Sequence, residues 1–260
     1  MSERIGVSGF GVAGDVALVT GSSRGIGAAL AGGLARAGAI VVLHGRETAR
    51  LHAARHALAE RTGARVEMVA FDVTDAQAVR VGVAAVEQGV GPIAVLVNNA
   101  GVQHRVPMLD LEVDDWDLLI ATNLRGPFLV GREVAGHMVQ RGHGKIINIA
   151  SIQAGLARPG IAPYAASKGG IAMLTRTMCA EWAGAGIQAN AIAPGYVDTE
   201  LTAALVADPA FDAWIRGRTP AGRWGKPEDL VGTLLWLASS ASDFVNGQVI
   251  YVDGGLTAVV

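Results

Sequence analysis

An apolar run, Asp15-Val-Ala-Leu-Val-Thr20, passes without a spacer into Gly21-Ser-Ser-Arg-Gly25-Ile-Gly27. An Ala- and Leu-rich stretch from about Ala28 to Ala37 follows and closes at Gly38. A short β-like run, a glycine loop and a helix, in that order, fix most of what this chain can become. A strand that hands over to a helix returns along the sheet to a parallel neighbour, so the chain belongs to the α/β class. Gly21 permits the tight turn; Gly25 and Gly27 let the backbone and the helix N-terminus come close to a pyrophosphate. The loop therefore reads as a dinucleotide site. Residues 9–14, Gly-Phe-Gly-Val-Ala-Gly, match the GxGxxG spacing letter for letter. That match is rejected, because a short polar tail precedes it and a strand follows it. Residues 1–13 read as a flexible lead-in to one domain over 14–260.

The same alternation runs on. Strands are expected at 39–44, 66–71, 93–97, 145–150, 188–193 and 248–252. Helices are expected at 47–62, 75–87, 113–140 and 227–237, with another that carries Tyr164 and runs to about Trp182. No linker or composition shift divides the chain. Its 260 residues are 51% hydrophobic and 17% charged, with 35 glycines, which suits one large buried core with many tight strand–helix turns. From Tyr196 to Gly225 the pattern loosens into polar, Trp- and Pro-containing sequence. An insertion past a strand's carboxyl end is a candidate substrate lid.

The second strand ends in His44-Gly45-Arg46-Glu47. An acid at that place holds a ribose 2′-hydroxyl, whereas a base accommodates a 2′-phosphate. Arg46, with Arg24 from the glycine loop, favours NADP(H). Glu47 keeps NAD(H) open, and both arginines could equally be solvated loop residues. Asp72, at the end of the third strand, suits the adenine amino group or else a local turn. In Asn98-Asn99-Ala100-Gly101 the small residues let a cofactor approach, and asparagine amides can pin neighbouring strands.

Ser151 ends the fifth strand, where open parallel sheets bind ligands. Tyr164 and Lys168 follow at helical spacing, on one face and one turn apart. An ammonium beside a phenol favours the phenolate and lowers its pKa, so this tyrosine suits proton transfer. A hydroxyl donor and an acid/base phenol converging at one strand end suit a carbonyl that becomes an alcohol, or the reverse. Asn123 lies inside a predicted helix that asparagine does not favour, which suggests a polar task.

Taken together, Thr20-Gly21-Ser-Ser-Arg-Gly25-Ile-Gly27, Asn98-Asn-Ala-Gly101, Asn123, Ser151, Tyr164-Ala-Ala-Ser-Lys168 and Pro194-Gly195 resemble the short-chain dehydrogenase/reductases from about residue 14 to the end. The resemblance implies a Rossmann fold, a doubly wound seven-stranded parallel sheet of order 3-2-1-4-5-6-7. It implies a catalytic tetrad of Asn123, Ser151, Tyr164 and Lys168. In that tetrad Tyr164 moves the substrate proton, and Lys168 also holds the nicotinamide ribose. Ser151 donates to the substrate oxygen, and Asn123 orders a water joining Lys168 to solvent. Cofactor contacts carry over to Ser23, Ile26, Val73, Asn99, Ala100 and Gly101, and to Pro194, Gly195, Val197 and Thr199.

Within the family, Gln103-His104-Arg105, Ala157-Arg158-Pro-Gly-Ile-Ala-Pro-Tyr164 and Arg218-Thr-Pro-Ala-Gly-Arg-Trp-Gly225 resemble the pocket loops of gluconate 5-dehydrogenases. That implies a sugar-acid substrate, whose carboxylate Arg105 or Arg158 would grip unless each is a solvated or structural loop arginine. A 3-oxoacyl thioester reductase is the runner-up within the family. A nucleotide-binding protein without catalysis is the alternative outside it.

The remaining features narrow the setting. A net charge of −2 gives no ground for nucleic-acid or membrane-surface binding. Cys179, the single cysteine, excludes an internal disulfide, and six scattered histidines lack metal-ligand spacing. No apolar run approaches the length of a membrane span, and no secretory leader is visible. A cytoplasmic enzyme of small molecules, without metal, is expected. Family members commonly form homotetramers, and Ile171-Ala-Met-Leu174 would suit such an interface or the subunit's own core.

Overall fold

A computed structural model describes residues 7–260. Its sheet holds β1 (Val16–Val19), β2 (Ile40–Gly45), β3 (Val66–Ala70), β4 (Ile93–Asn98), β5 (Gly144–Ile149), β6 (Ile187–Pro194) and β7 (Val249–Val252). All seven strands are parallel, in the order β3-β2-β1-β4-β5-β6-β7. The expected topology is the observed one. Reversal of strand order at β1 leaves a crevice between the carboxyl ends of β1 and β4, and the glycine loop opens into it.

Helices cover both faces. In chain order they are α1 (Gly25–Arg36), α2 (Thr48–Thr62), α3 (Ala76–Gly89), α4 (Val113–Ile120), α5 (Gly126–Arg141) and α6 (Ala162–Trp182). Then come α7 (Ala203–Val206), α8 (Pro209–Arg218) and α9 (Val231–Ala238). Alternation along β1 explains the two layers. Ala17 and Val19 pack with Leu30 and Leu34 of α1 and Leu234 of α9. Val16 and Leu18 pack with Val83 of α3 and Val130 of α5. Because both faces are buried, the strand reads as an unbroken apolar run rather than an alternating one.

The helix expected at 113–140 is not continuous. A π-turn over Ala121–Arg125 separates α4 from α5. Pro127 stands in the first turn of α5 and has no N–H to give the Asn123 carbonyl four residues back. The wider turn carries Asn123 inward, to 1% exposure. The last helix is likewise divided, with a 3₁₀ turn over Pro227–Leu230 before α9.

Two further stretches can be placed. Residues 1–6 of the expected lead-in lie outside the described residues. Its later part is docked: Val7–Phe10 is a 3₁₀ turn, the Ser240 hydroxyl donates to the Gly9 carbonyl at 3.1 Å, and Val12 belongs to the core. In the run from 171 to 174, Ile171 and Ala172 are buried within the subunit; only Met173 is well exposed. No helix among the described residues is long and apolar enough to cross a membrane.

Candidate active site

A groove of 460 Å³ runs across the carboxyl ends of the central strands. Every residue expected to touch a cofactor lines it, from Gly21, Ser23 and Ile26 to Pro194, Val197 and Thr199. Its floor is shaped for a close backbone approach. Gly21 has φ +63°, and a Cβ there would lie 2.8 Å from the Ala100 Cα. A Cβ on Gly27 would overlap the Asn99 amide and the Gly21 carbonyl. Gly25 has φ +56° and nothing within 4 Å, so a side chain there would occupy the groove itself. No side chain caps the start of α1, which leaves its first N–H groups free for an anion. These features fit the pyrophosphate of a dinucleotide.

The loop is pinned from two sides. The Asn99 side-chain amide donates to the Thr20 carbonyl at 2.9 Å and to the Gly21 carbonyl at 3.0 Å. On the other side the Gly21 N–H donates to His44 Nδ1 at 3.2 Å, while His44 Nε2 lies 3.1 Å from the Phe71 carbonyl. His44 is therefore a neutral structural residue, 2% exposed, and burial holds its pKa down at about 4. The basic lining at this end is Arg24, Arg46 and Arg50. Glu47, the acid that would suit NAD(H), pairs with Arg50 at 3.4 Å. Asp72 accepts from the Thr74 N–H and hydroxyl, both at 2.8 Å, so one of its oxygens closes a local turn. The other lies 3.7 Å from Arg46 Nη1.

Ser151, Tyr164 and Lys168 converge at the far end of the groove. The Ser151 oxygen accepts the Gln153 N–H at 3.2 Å, which leaves its own proton free to point outward. Lys168 is 6% exposed; Nζ donates to the Ile149 carbonyl at 2.6 Å and stands 5.6 Å from the Tyr164 ring centroid. Burial lowers its pKa to about 8, so at pH 7 it remains mostly an ammonium. The Tyr164 phenol differs from expectation. Burial pushes it above its ordinary value; the neighbouring Ser151 hydroxyl, then the Arg105 charge, draw it back. Both ends of the Asn123 amide are committed to the Val102 backbone, at 2.8 Å each. These two bonds use one of its two N–H groups and one of its two oxygen lone pairs. What it holds is the loop that follows Gly101.

A second pocket opens beside Tyr164 and Ser151, lined by Arg105, Arg158 and Tyr196 among others. Arg158 Nη1 faces the Tyr196 hydroxyl at 3.4 Å, and Arg105 Nη2 donates to the Leu201 carbonyl at 3.3 Å. Burial, then the charge of Arg158, pull the Arg105 guanidinium below its ordinary pKa. Neither arginine has a carboxylate partner among the described residues, unlike Arg24, Arg141 or Arg223. Two cations share one concavity without a counter-charge, a setting whose chemistry suits an anion.

A family model described as enoyl-(acyl carrier protein) reductase matches residues 21–257. Gluconate 5-dehydrogenase of Gluconobacter oxydans (strain 621H) is 54% identical over 248 residues, 95% of this chain and 96% of that one. The chain belongs to the short-chain dehydrogenase/reductase family. It is an oxidoreductase acting on CH–OH groups. A 5-keto-D-gluconate 5-reductase of Escherichia coli (strain K12) is 47% identical over 251 residues, 96% of this chain and 98% of that one. The crystal structure of a gluconate 5-dehydrogenase from Burkholderia cenocepacia J2315, in complex with NADP and tartrate, superposes with a TM-score of 0.94 at 52% identity. It covers 97% of this chain and 98% of that one.

Several residues of this dehydrogenase/reductase pocket escaped the sequence. Gln103 and Gln153 line it, and the Oε1 of each is buried with no hydrogen-bond partner. Gln103 was read with the pocket loops; for Gln153 proximity was the available signal, since it follows Ser151 by two residues. Tyr196 of this pocket and Glu200 of the cofactor groove had no such marker, because the path of 196–225 could not be read from its sequence.

Proposed function

We propose that this enzyme exchanges hydride between NADP(H) and a secondary alcohol of a sugar acid, interconverting D-gluconate and 5-keto-D-gluconate. The unpaired Arg105 and Arg158, in one pocket with Ser151 and Tyr164, carry this reading. They supply the charge that a carboxylate needs, beside the hydroxyls that a carbonyl oxygen needs. The Burkholderia relative binds NADP and tartrate, a hydroxy acid, which is the same pairing of chemistries.

Each residue then has a task. Arg24 and Arg46 hold the 2′-phosphate, and the start of α1 holds the pyrophosphate. Bound there, the cofactor supplies or takes up hydride at its nicotinamide ring. Ser151 donates its free proton to the substrate oxygen. Tyr164 gives that oxygen a proton in reduction and takes it back in oxidation. Lys168, ammonium over the ring face, favours the phenolate that remains and holds the nicotinamide ribose. Asn123 positions the loop leading to Gln103 and Arg105. The unpartnered oxygens of Gln103 and Gln153 suit substrate hydroxyl groups. We place the enzyme in the cytoplasm as a homotetramer; Val113, Leu118 and Phe128, exposed on α4 and α5, support the assembly.

Initial rates of NADPH oxidation with 5-keto-D-gluconate, beside acetoacetyl-CoA and with NADH as cofactor control, test the reading. Turnover with the keto acid and NADPH supports it; turnover with the thioester alone replaces the substrate. Tyr164→Phe should lower kcat at least about 100-fold while NADPH binding, read by fluorescence, stays within twofold. Retention of most activity would remove Tyr164 from its role.

A further inference from the structure

Arg158 sits on an irregular segment between Ser151 and α6, yet its guanidinium is held. Its central carbon lies 5.1 Å from the centroid of the Phe211 ring. Phe211 stands on α8, in the lid, and is itself fixed. Its ring is 5.6 Å from Tyr196, 5.4 Å from Trp214 and 6.3 Å from Trp224. Trp224 is 6% exposed and anchors the group, donating its indole N–H to Asp212 Oδ1 at 2.7 Å. The arginine thus rests on one plate of a four-ring cluster, with the Tyr196 hydroxyl at one edge.

A guanidinium lying on an aromatic face keeps its N–H donors in its own plane, unspent by the stack. A long side chain held this way loses less freedom when a ligand takes it up. We propose that Phe211 is a positioning residue for the substrate's acid group. It seats Arg158 before the substrate arrives, so the lid aromatics set the preference for an anionic over a neutral substrate. Arg105 ties the same lid at its near end through the Leu201 carbonyl, so both cations of the pocket are set by lid residues. This inference rests on the sugar-acid reading given above.

The test compares 5-keto-D-gluconate with L-sorbose, which carries a hydroxymethyl group in place of the carboxylate, in steady-state NADPH oxidation. Phe211→Leu should raise KM for the keto acid about fivefold, leave kcat within twofold, and change kcat/KM for L-sorbose by less than twofold. Phe211→Tyr, which keeps the aromatic face, should restore the keto-acid KM. Tyr196→Phe removes only the hydroxyl beside Nη1 and should shift the keto-acid KM in the same direction by a smaller factor. It gives a readout even where Phe211→Leu unseats α8. Equal losses on both substrates, or none on either, would overturn the positioning role while the substrate reading stands. A wild-type enzyme that does not prefer the keto acid to L-sorbose, with Arg158→Gln equal on both, would sink the sugar-acid reading and this inference with it.

Discussion

His44 shows how much a single buried ring can do without touching chemistry. It joins the glycine loop to β2 and β3 only while its Nδ1 is free to accept from Gly21. Its pKa of about 4 lies below the ordinary 6.5, so between those values the unfolded chain binds a proton that the folded one refuses. Stability therefore falls as pH drops through that window, by about 3 kcal/mol when fully expressed. Urea midpoints at pH 7 and pH 4.5 should show this loss, and His44→Gln should flatten the part due to the ring. The sequence reading treated His44 only as the start of a basic strand end, because its residue type cannot reveal that both ring nitrogens find backbone partners. Ser151, Tyr164 and Lys168 were legible, since strand end and helical spacing already set their faces. The raised phenol of Tyr164 was not, because burial depends on what the rest of the chain packs over it.

Glu200 belongs to the segment 196–225, and its carboxylate takes Arg24 of the glycine loop at 2.9 Å, both side chains well exposed. In the proposed function the 2′-phosphate and Glu200 compete for that guanidinium. An exposed pair contributes up to about 1 kcal/mol, so Glu200→Gln should tighten NADPH binding by at most about fivefold. NADH binding should not change; a titration of both cofactors in which they move together would discard the competition. The strands were legible because each is a short, mostly apolar run, broken only by single polar residues such as Glu67, Asn148 and Asn190. The division between α4 and α5 could have been read from Pro127, whose missing N–H removes a bond from an α-helical ladder in a helix interior. The path of 196–225 could not, since its aromatic residues act through contacts with the distant Arg158 and with one another.

At the scale of the molecule, the exposed apolar residues of α4 and α5 bear on assembly. Light scattering should give four times the chain mass, and Phe128→Asp should yield smaller species; a wild-type monomer would remove the tetramer from the reading. The sheet order has a different consequence, for the order of events during synthesis. β1 pairs β2 on one side and β4 on the other, so it starts at an edge and ends in the middle. β2 and β3 extend the sheet one way; β4, β5, β6 and β7 extend it the other. No strand ever has to be inserted between two that are already paired. A chain leaving the ribosome can therefore pair β1 to β4 in order and pin the glycine loop once Asn99 has emerged and met Thr20. The tyrosine, the lysine and residues 196–225 join later, as β5, β6 and β7 extend the sheet past β4.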